Sequence, residues 1–206
     1  MRASATVDDE FGDGAAEVAF AGRSNVGKST LLNRLVGRDL ARTGSTPGRT
    51  RTVNWFRIDH RYWFVDLPGY GFARTSRVER EKWAEVVDAY LRRVQGTRLV
   101  IQLVDAKVGA TQLDVEAARY LDDLGVERAV VATKIDRLKR GERPRRLAEI
   151  AHALGLAGGT EIVPVSAVSG EGVRELWKRI ADFLAGQVPS EKRKEGRQHA
   201  EDDGTP

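Results

Sequence analysis

Apolar residues in this chain alternate between short, nearly unbroken runs and longer stretches where they recur every three or four positions. "EVAFA" at 17–21 reads as a strand and "KSTLLNRLVG" at 28–37 as a helix, with Leu31, Leu32, Leu35 and Val36 along one stripe. Two β-rich runs, "TVNWFRID" at 52–59 and "RYWFVD" at 61–66, meet at a tight turn near His60 and predict an antiparallel hairpin. Then the two periods alternate: a helix over 78–94, the strand "RLVIQLVD", a helix over 113–124, the strand "RAVVAT", a basic helix over 144–154, the strand "EIVPVS" and a helix over 173–184. Apolar strands with no polar face to offer water need cover on both sides. The pattern therefore predicts an α/β fold: a mostly parallel six-stranded sheet with one antiparallel edge strand and helices on both faces. Ligands of such sheets sit at the carboxyl ends of the strands.

Composition trims this picture. Residues 1–15 and 187–206 are polar, small or charged without apolar periodicity and are expected to be mobile tails, leaving one domain over 16–186. With 0 Cys, neither a disulfide framework nor a thiolate metal site is available. No apolar run approaches the ~20 residues that span a bilayer, and the N-terminus lacks the basic start and apolar middle of a secretory signal. A cytoplasmic protein is expected, a monomer with neither membrane nor DNA as partner. The net charge of +4 is modest, but Arg-rich stretches at 137–146 and 192–197 concentrate it, which suits a phosphate-rich partner and equally a solvated face.

The chemistry lies at the predicted strand ends. "GRSNVGKS", from Gly22 through Arg23, Ser24, Asn25, Val26, Gly27 and Lys28 to Ser29, matches GxxxxGK[ST] between a strand and a helix. The glycines let successive N–H groups turn inward beside a helix N-terminus, making an anion cradle. Lys28 adds a point charge for β- and γ-phosphates, and the Ser29 hydroxyl is placed to ligate Mg²⁺. In "TKID" (Thr133, Lys134, Ile135, Asp136), the carboxylate can accept N1–H and the 2-amino group of guanine. Adenine would leave it poorly paired. Thr133 stands where the commoner motif has Asn, and its hydroxyl can make only some of the same loop contacts. Asp66, Leu67, Pro68 and Gly69 form DxxG, with Asp66 holding Mg²⁺ through water and the Gly69 N–H meeting the γ-phosphate. Thr50 in a Gly-containing loop could complete the metal shell when a γ-phosphate is present. Ser166 and Ala167, after "EIVPV", offer N–H groups for guanine O6.

With "EVAFAGRSNVGKS", "TPGRT", "VDLPGYGFA", "TKID" and "SA" in this order, the chain resembles the EngB (YihA/YsxC) family of bacterial ribosome-biogenesis GTPases, within the Era-like P-loop GTPases. The resemblance spans residues 16–186. It implies a P-loop GTPase domain that binds GTP and GDP with Mg²⁺, acts with a large ribosomal subunit precursor and its rRNA, and is linked to cell division and septation. Carried over by position, the nucleotide contacts are Gly22 to Ser29, then Gly48, Arg49, Thr50, Arg51 and Thr52, Asp66 to Gly69, Thr133 to Asp136, and Val165, Ser166 and Ala167, with Ser29 and Thr50 as magnesium ligands. Gly44 and Ser45 depart from the family's Ser-Lys and remove a positive charge from the loop. Arg74 replaces a lysine and keeps the charge.

Trp55, Trp63, Trp83 and Trp177 fall within predicted strands and helices, where packing explains them better than base stacking. His60, His152 and His199 have no neighbours at catalytic spacing. Lys139, Arg140, Arg143, Arg145 and Arg146 are the candidates for rRNA phosphate contact. Tyr70 occupies the place where many GTP-hydrolysing proteins carry a water-orienting glutamine. It either packs inward or turns toward a partner. Catalysis would then rest on Lys28, Thr50 and Asn25, the last at a position that in related GTPases lacking the glutamine helps hold a potassium ion. The expected activity is a slow GTPase; the alternative is a GTP-dependent binding module with negligible hydrolysis.

Overall fold

The structure is a computed structural model and describes residues 5–6, 14–37, 39, 53–70, 77–93, 98–156 and 162–186. In chain order the elements are β1 (Ala5–Thr6), β2 (Glu17–Gly22), α1 (Lys28–Val36), β3 (Asn54–Ile58), β4 (Tyr62–Asp66), α2 (Arg77–Arg93), β5 (Arg98–Asp105), α3 (Gln112–Asp123), β6 (Glu127–Thr133), α4 (Arg143–Ala153), β7 (Val163–Pro164) and α5 (Val173–Gly186). Two 3₁₀ turns, Ile135–Arg137 and Arg140–Glu142, connect β6 to α4. The strands form one sheet in the order β1-β3-β4-β2-β5-β6-β7.

Six of these strands and all five helices are those the hydrophobic periodicity predicts. β2 pairs in parallel with β4 and β5, and β6 with β5 and β7, while β3 and β4 form the expected antiparallel hairpin. One short strand joins the sheet beyond those expected. β1 adds outside β3, pairing Ala5 with Ile58 and Thr6 with Arg57, so the antiparallel strand is flanked on both sides. β1 falls in the segment whose composition reads as a tail, because two small residues joined through backbone hydrogen bonds carry no side-chain pattern. β7 is shorter than the run 161–166. Pro164 has no N–H to give a ladder, and the Ser166 N–H is turned to the Glu171 carbonyl at 2.9 Å.

Alternation along the central strands divides the core. Val18 and Phe20 of β2 pack with Leu31, Leu32 and Leu35 of α1 and Leu176 and Ile180 of α5. Ala19 and Ala21 point the other way, toward Val87 and Tyr90 of α2 and Leu121 of α3. Farther along that second face Val130 and Ala132 of β6 meet Ile150 of α4. Three tryptophans answer the packing reading: Trp55 and Trp63 are buried with their rings edge to face at 6.0 Å, and the Trp177 indole donates to the Leu35 carbonyl at 3.1 Å. The register brings Gly22, Asp66, Asp105, Thr133 and Pro164 to one edge of the sheet, since Phe20 pairs with Asp66, Gly22 with Leu103, Asp105 with Thr133 and Ala132 with Pro164.

Candidate nucleotide-binding site

The loop between β2 and α1 is shaped by three backbone requirements. Gly22 has no room for a side chain, because a Cβ there would lie 2.9 Å from Val26 Cγ1. Asn25 and Gly27 both have positive φ, 65° and 101°, so the chain curls back before Leu31 N–H donates to the Gly27 carbonyl at 2.9 Å and the helix begins. A loop curled in this way is of the kind that turns backbone N–H groups toward an anion; here the Ser24 and Val26 N–H groups already donate to the Tyr70 and Arg23 carbonyls at 2.9 and 3.1 Å. Lys28, 8 % exposed, opens α1 with its Nζ hydrogen-bonded to Asp66, which is 3 % exposed at the end of β4. Ser29 follows on the same turn.

The DxxG segment runs alongside this loop as a backbone zipper. Leu67 N–H donates to the Phe20 carbonyl (3.1 Å), Tyr70 N–H to that of Gly22 (3.2 Å), and Ser24 N–H to that of Tyr70 (2.9 Å). Gly69 sits so close that a Cβ would be 3.2 Å from Ser24 Oγ and 3.3 Å from its nitrogen. Tyr70 is packed inward, not turned out: it is 6 % exposed, its hydroxyl donates to Asp114 Oδ1 at 3.1 Å, and Gln102 Nε2 reaches the same hydroxyl at 3.4 Å. Burial, reinforced by the Asp114 carboxylate, pushes this phenol well above its ordinary pKa. Asp114 in turn accepts both the N–H (2.8 Å) and the hydroxyl (2.7 Å) of Thr111 at the start of α3, and Arg23 NH1 lies 3.9 Å from it.

At the end of β6 the base motif is tied directly to the phosphate loop. Thr133 Oγ1 donates to the Val26 carbonyl at 2.7 Å, with the Val104 carbonyl at 3.2 Å. The hydroxyl thus makes one direct contact to the phosphate loop. Lys134, itself at φ 56°, sends Nζ to the Asn25 carbonyl (2.6 Å) and to Asp105 Oδ2 (2.7 Å). Ile135 N–H donates to the Val165 carbonyl at 3.3 Å, which brings the 165–167 loop alongside. These parts wall a cleft of about 140 Å³ whose lining includes Gly27, Thr30, Lys134, Asp136, Ala167 and Val168. Thr30, Val168, Asp105 and Asp114 are parts of this region that the motifs do not name. For Asp105 a signal exists, since it ends an apolar strand just as Asp66 does.

The expected positions Gly48, Arg49, Thr50, Arg51 and Thr52 lie outside the described residues, as do Gly44, Ser45 and Arg74. The basic cluster on and before α4 is partly self-neutralised. Arg143 pairs with Glu171 at 2.6 Å, and Arg145 and Arg146 with Glu149 at 3.5 and 3.1 Å, while Lys139 and Arg140 are exposed. Among the described residues no helix is long and apolar enough to cross a membrane.

Comparison with known proteins agrees with this geometry. A family model described as "50S ribosome-binding GTPase" matches residues 17–134. The chain is 43% identical over 169 residues to the "Probable GTP-binding protein EngB" of Natranaerobius thermophilus, covering 82% of this chain and 88% of that protein. It is 44% identical over 193 residues to the same-named protein of Anaeromyxobacter dehalogenans, covering 88% and 89%. A crystal structure of a probable GTP-binding protein engB superposes with a TM-score of 0.63 at 26% identity, over 82% of this chain and 99% of that one. Era in complex with MgGDPNP and nucleotides 1506–1542 of 16S ribosomal RNA gives 0.65 at 28% identity, over 82% of this chain and 57% of that one. The chain belongs to the EngB family of GTP-binding proteins, a branch of the P-loop GTPases.

Proposed function

We propose that this protein binds GTP and GDP with Mg²⁺, hydrolyses GTP slowly, and works in the cytoplasm as a monomeric, nucleotide-switched factor in assembly of the large ribosomal subunit, on which normal cell division and septation depend. The observation that carries the nucleotide reading is the cleft walled by Gly27, Lys134, Asp136 and Ala167, opening beside the curled loop from Gly22 to Ser29. Asp136 pairs with guanine N1–H and the 2-amino group. The Ser166 N–H is held by the Glu171 carbonyl, so recognition of O6 falls to the Ala167 N–H. The loop N–H groups and Lys28 take the phosphates, and the Gly69 N–H meets the γ-phosphate.

The residues fit a magnesium ion. Mg²⁺ prefers hard oxygen donors and needs only one or two from the protein beside phosphate and water. The Ser29 hydroxyl is the direct donor and the buried Asp66 carboxylate would hold the ion through water, with Thr50 as the second direct ligand when the γ-phosphate is present. The ion would neutralise charge on the β- and γ-phosphates. Asn25, held at positive φ beside Lys28, is the candidate to help hold a potassium ion, with Lys28 and Thr50 stabilising the transferred phosphoryl group. The ribosomal role is supported by the family description "50S ribosome-binding GTPase" and by the complex of Era with ribosomal RNA. Lys139 and Arg140 lead the rRNA-facing cluster.

Asp136→Asn should shift preference from GTP toward xanthosine triphosphate, whose 2-oxo group an amide can donate to. Retained GTP affinity in a binding titration would sink the base assignment. A second reading has its own observation: the Tyr70 hydroxyl is committed to Asp114, which favours a GTP-dependent binding module with negligible hydrolysis. Single-turnover hydrolysis in K⁺ and in Na⁺, with and without large-subunit precursors, separates the two. Acceleration by the particles supports the switch, and a negligible rate under every condition supports the module.

A further inference from the structure

Asp105 ends β5 beside the base cleft and uses its two carboxylate oxygens differently. Oδ1 accepts the N–H groups of Lys107 (2.9 Å) and Val108 (3.3 Å), fixing the first turn of the loop toward α3. Oδ2 lies 2.7 Å from Lys134 Nζ, and that ammonium also donates to the Asn25 carbonyl at 2.6 Å. Both side chains are largely withdrawn from water, at 14 % and 23 % exposure. The Lys134 stem crosses the phosphate loop, its Cε 3.8 Å from where a Cβ on Gly27 would stand. One lysine therefore stretches from the base cleft to the backbone of Asn25, a residue at a positive φ that is costly without glycine. A long flexible side chain is useful there only if its far end is already fixed when ligand arrives.

We infer that Asp105 is a positioning residue for guanine-nucleotide binding: by holding Lys134 Nζ at the Asn25 carbonyl, it keeps the lysine stem stretched along the base cleft and the phosphate loop curled. The inference rests on the guanine-nucleotide reading given above. Asparagine at 105 cannot replace the carboxylate. With its carbonyl toward the Lys107 and Val108 N–H groups, its amide turns donors at the ammonium; reversed, it turns donors at the two N–H groups.

The test uses the full chain and its Asp105→Asn, Lys134→Met and doubly substituted variants, with GDP and GTP titrations, steady-state hydrolysis and melting of the nucleotide-free protein. Asp105→Asn is expected to weaken GDP and GTP alike by about 3–10-fold, to raise KM rather than lower kcat, and to lose most of this effect in the Lys134→Met background. An undiminished loss in the Lys134→Met background overturns the inference, as does a loss of affinity accompanied by early melting of the nucleotide-free chain. Unchanged affinity in Asp105→Asn overturns it while leaving the guanine-nucleotide reading in place. Failure of the unaltered chain to bind GDP or GTP overturns both.

Discussion

A phenol enclosed beside a carboxylate has one comfortable protonation state, and Tyr70 is held in it. Its proton points at Asp114 Oδ1, and the same carboxylate caps the start of α3 through Thr111. The residue that succeeds the DxxG run is therefore a fastener between the phosphate loop's neighbour and α3. Tyr70→Phe keeps the ring's packing and removes the donor. It should lower unfolding stability by about 1–2 kcal/mol, since Asp114 keeps its two Thr111 donors. A lowered urea midpoint at unchanged slope, with GDP affinity within about two-fold, is the expected result. No loss of stability would mean the hydrogen bond contributes nothing. Asp105 and Asp114 show where residue-level reading stops. Each acts through partners distant along the chain, Lys134 being 29 positions from Asp105, and no local motif encodes that meeting.

Elements were legible where burial dictates pattern. β2, β5 and β6 are covered on both faces and so read as nearly continuous apolar runs, broken in β5 only by the buried Gln102, and helices α1 and α5 carry one stripe each. β1 was not legible, because backbone pairing at a sheet edge asks nothing of side chains. The candidate site was legible at the strand ends, where glycine, lysine, aspartate and threonine stand at fixed spacing. The loop that follows β7 depends on Gly172, at φ 73°, where a Cβ would fall 1.9 Å from the Pro164 carbonyl oxygen. Gly172→Ala should cost about 3 kcal/mol or more, combining left-handed strain with a backbone collision, and should weaken guanine nucleotides by displacing Ala167. Gly125→Ala is the control: a similar φ of 66° but nothing within 4 Å, so about 1 kcal/mol and no change in affinity are expected. Equal melting-point losses for the two would contradict the collision.

At the scale of the whole molecule, burial raises the pKa of several of the described tyrosines. Tyr62 is pushed up to about 12 by burial, with Asp59 adding to the shift, and Tyr70 and Tyr90 are raised by burial and then by the carboxylates of Asp114 and Glu17. Folded pKa values above the unfolded value of about 10 mean that the native state keeps protons the unfolded chain gives up. Their contribution to stability is complete below about pH 10 and is lost as pH climbs from there toward the folded values. Alkaline titration should show tyrosinate absorbance rising together with loss of near-ultraviolet dichroism. Full tyrosine ionisation with the dichroism intact would show these phenols to be open to solvent. At the same scale, the buried pair of Lys28 and Asp66 keeps the charges of the phosphate loop matched. Anything that draws the ammonium away strands a carboxylate, and anything that takes the carboxylate strands an ammonium, each at the cost of an uncompensated charge out of water. If a phosphate anion and its cation occupy this loop, their arrival as one neutralising couple would leave neither member of the pair stranded.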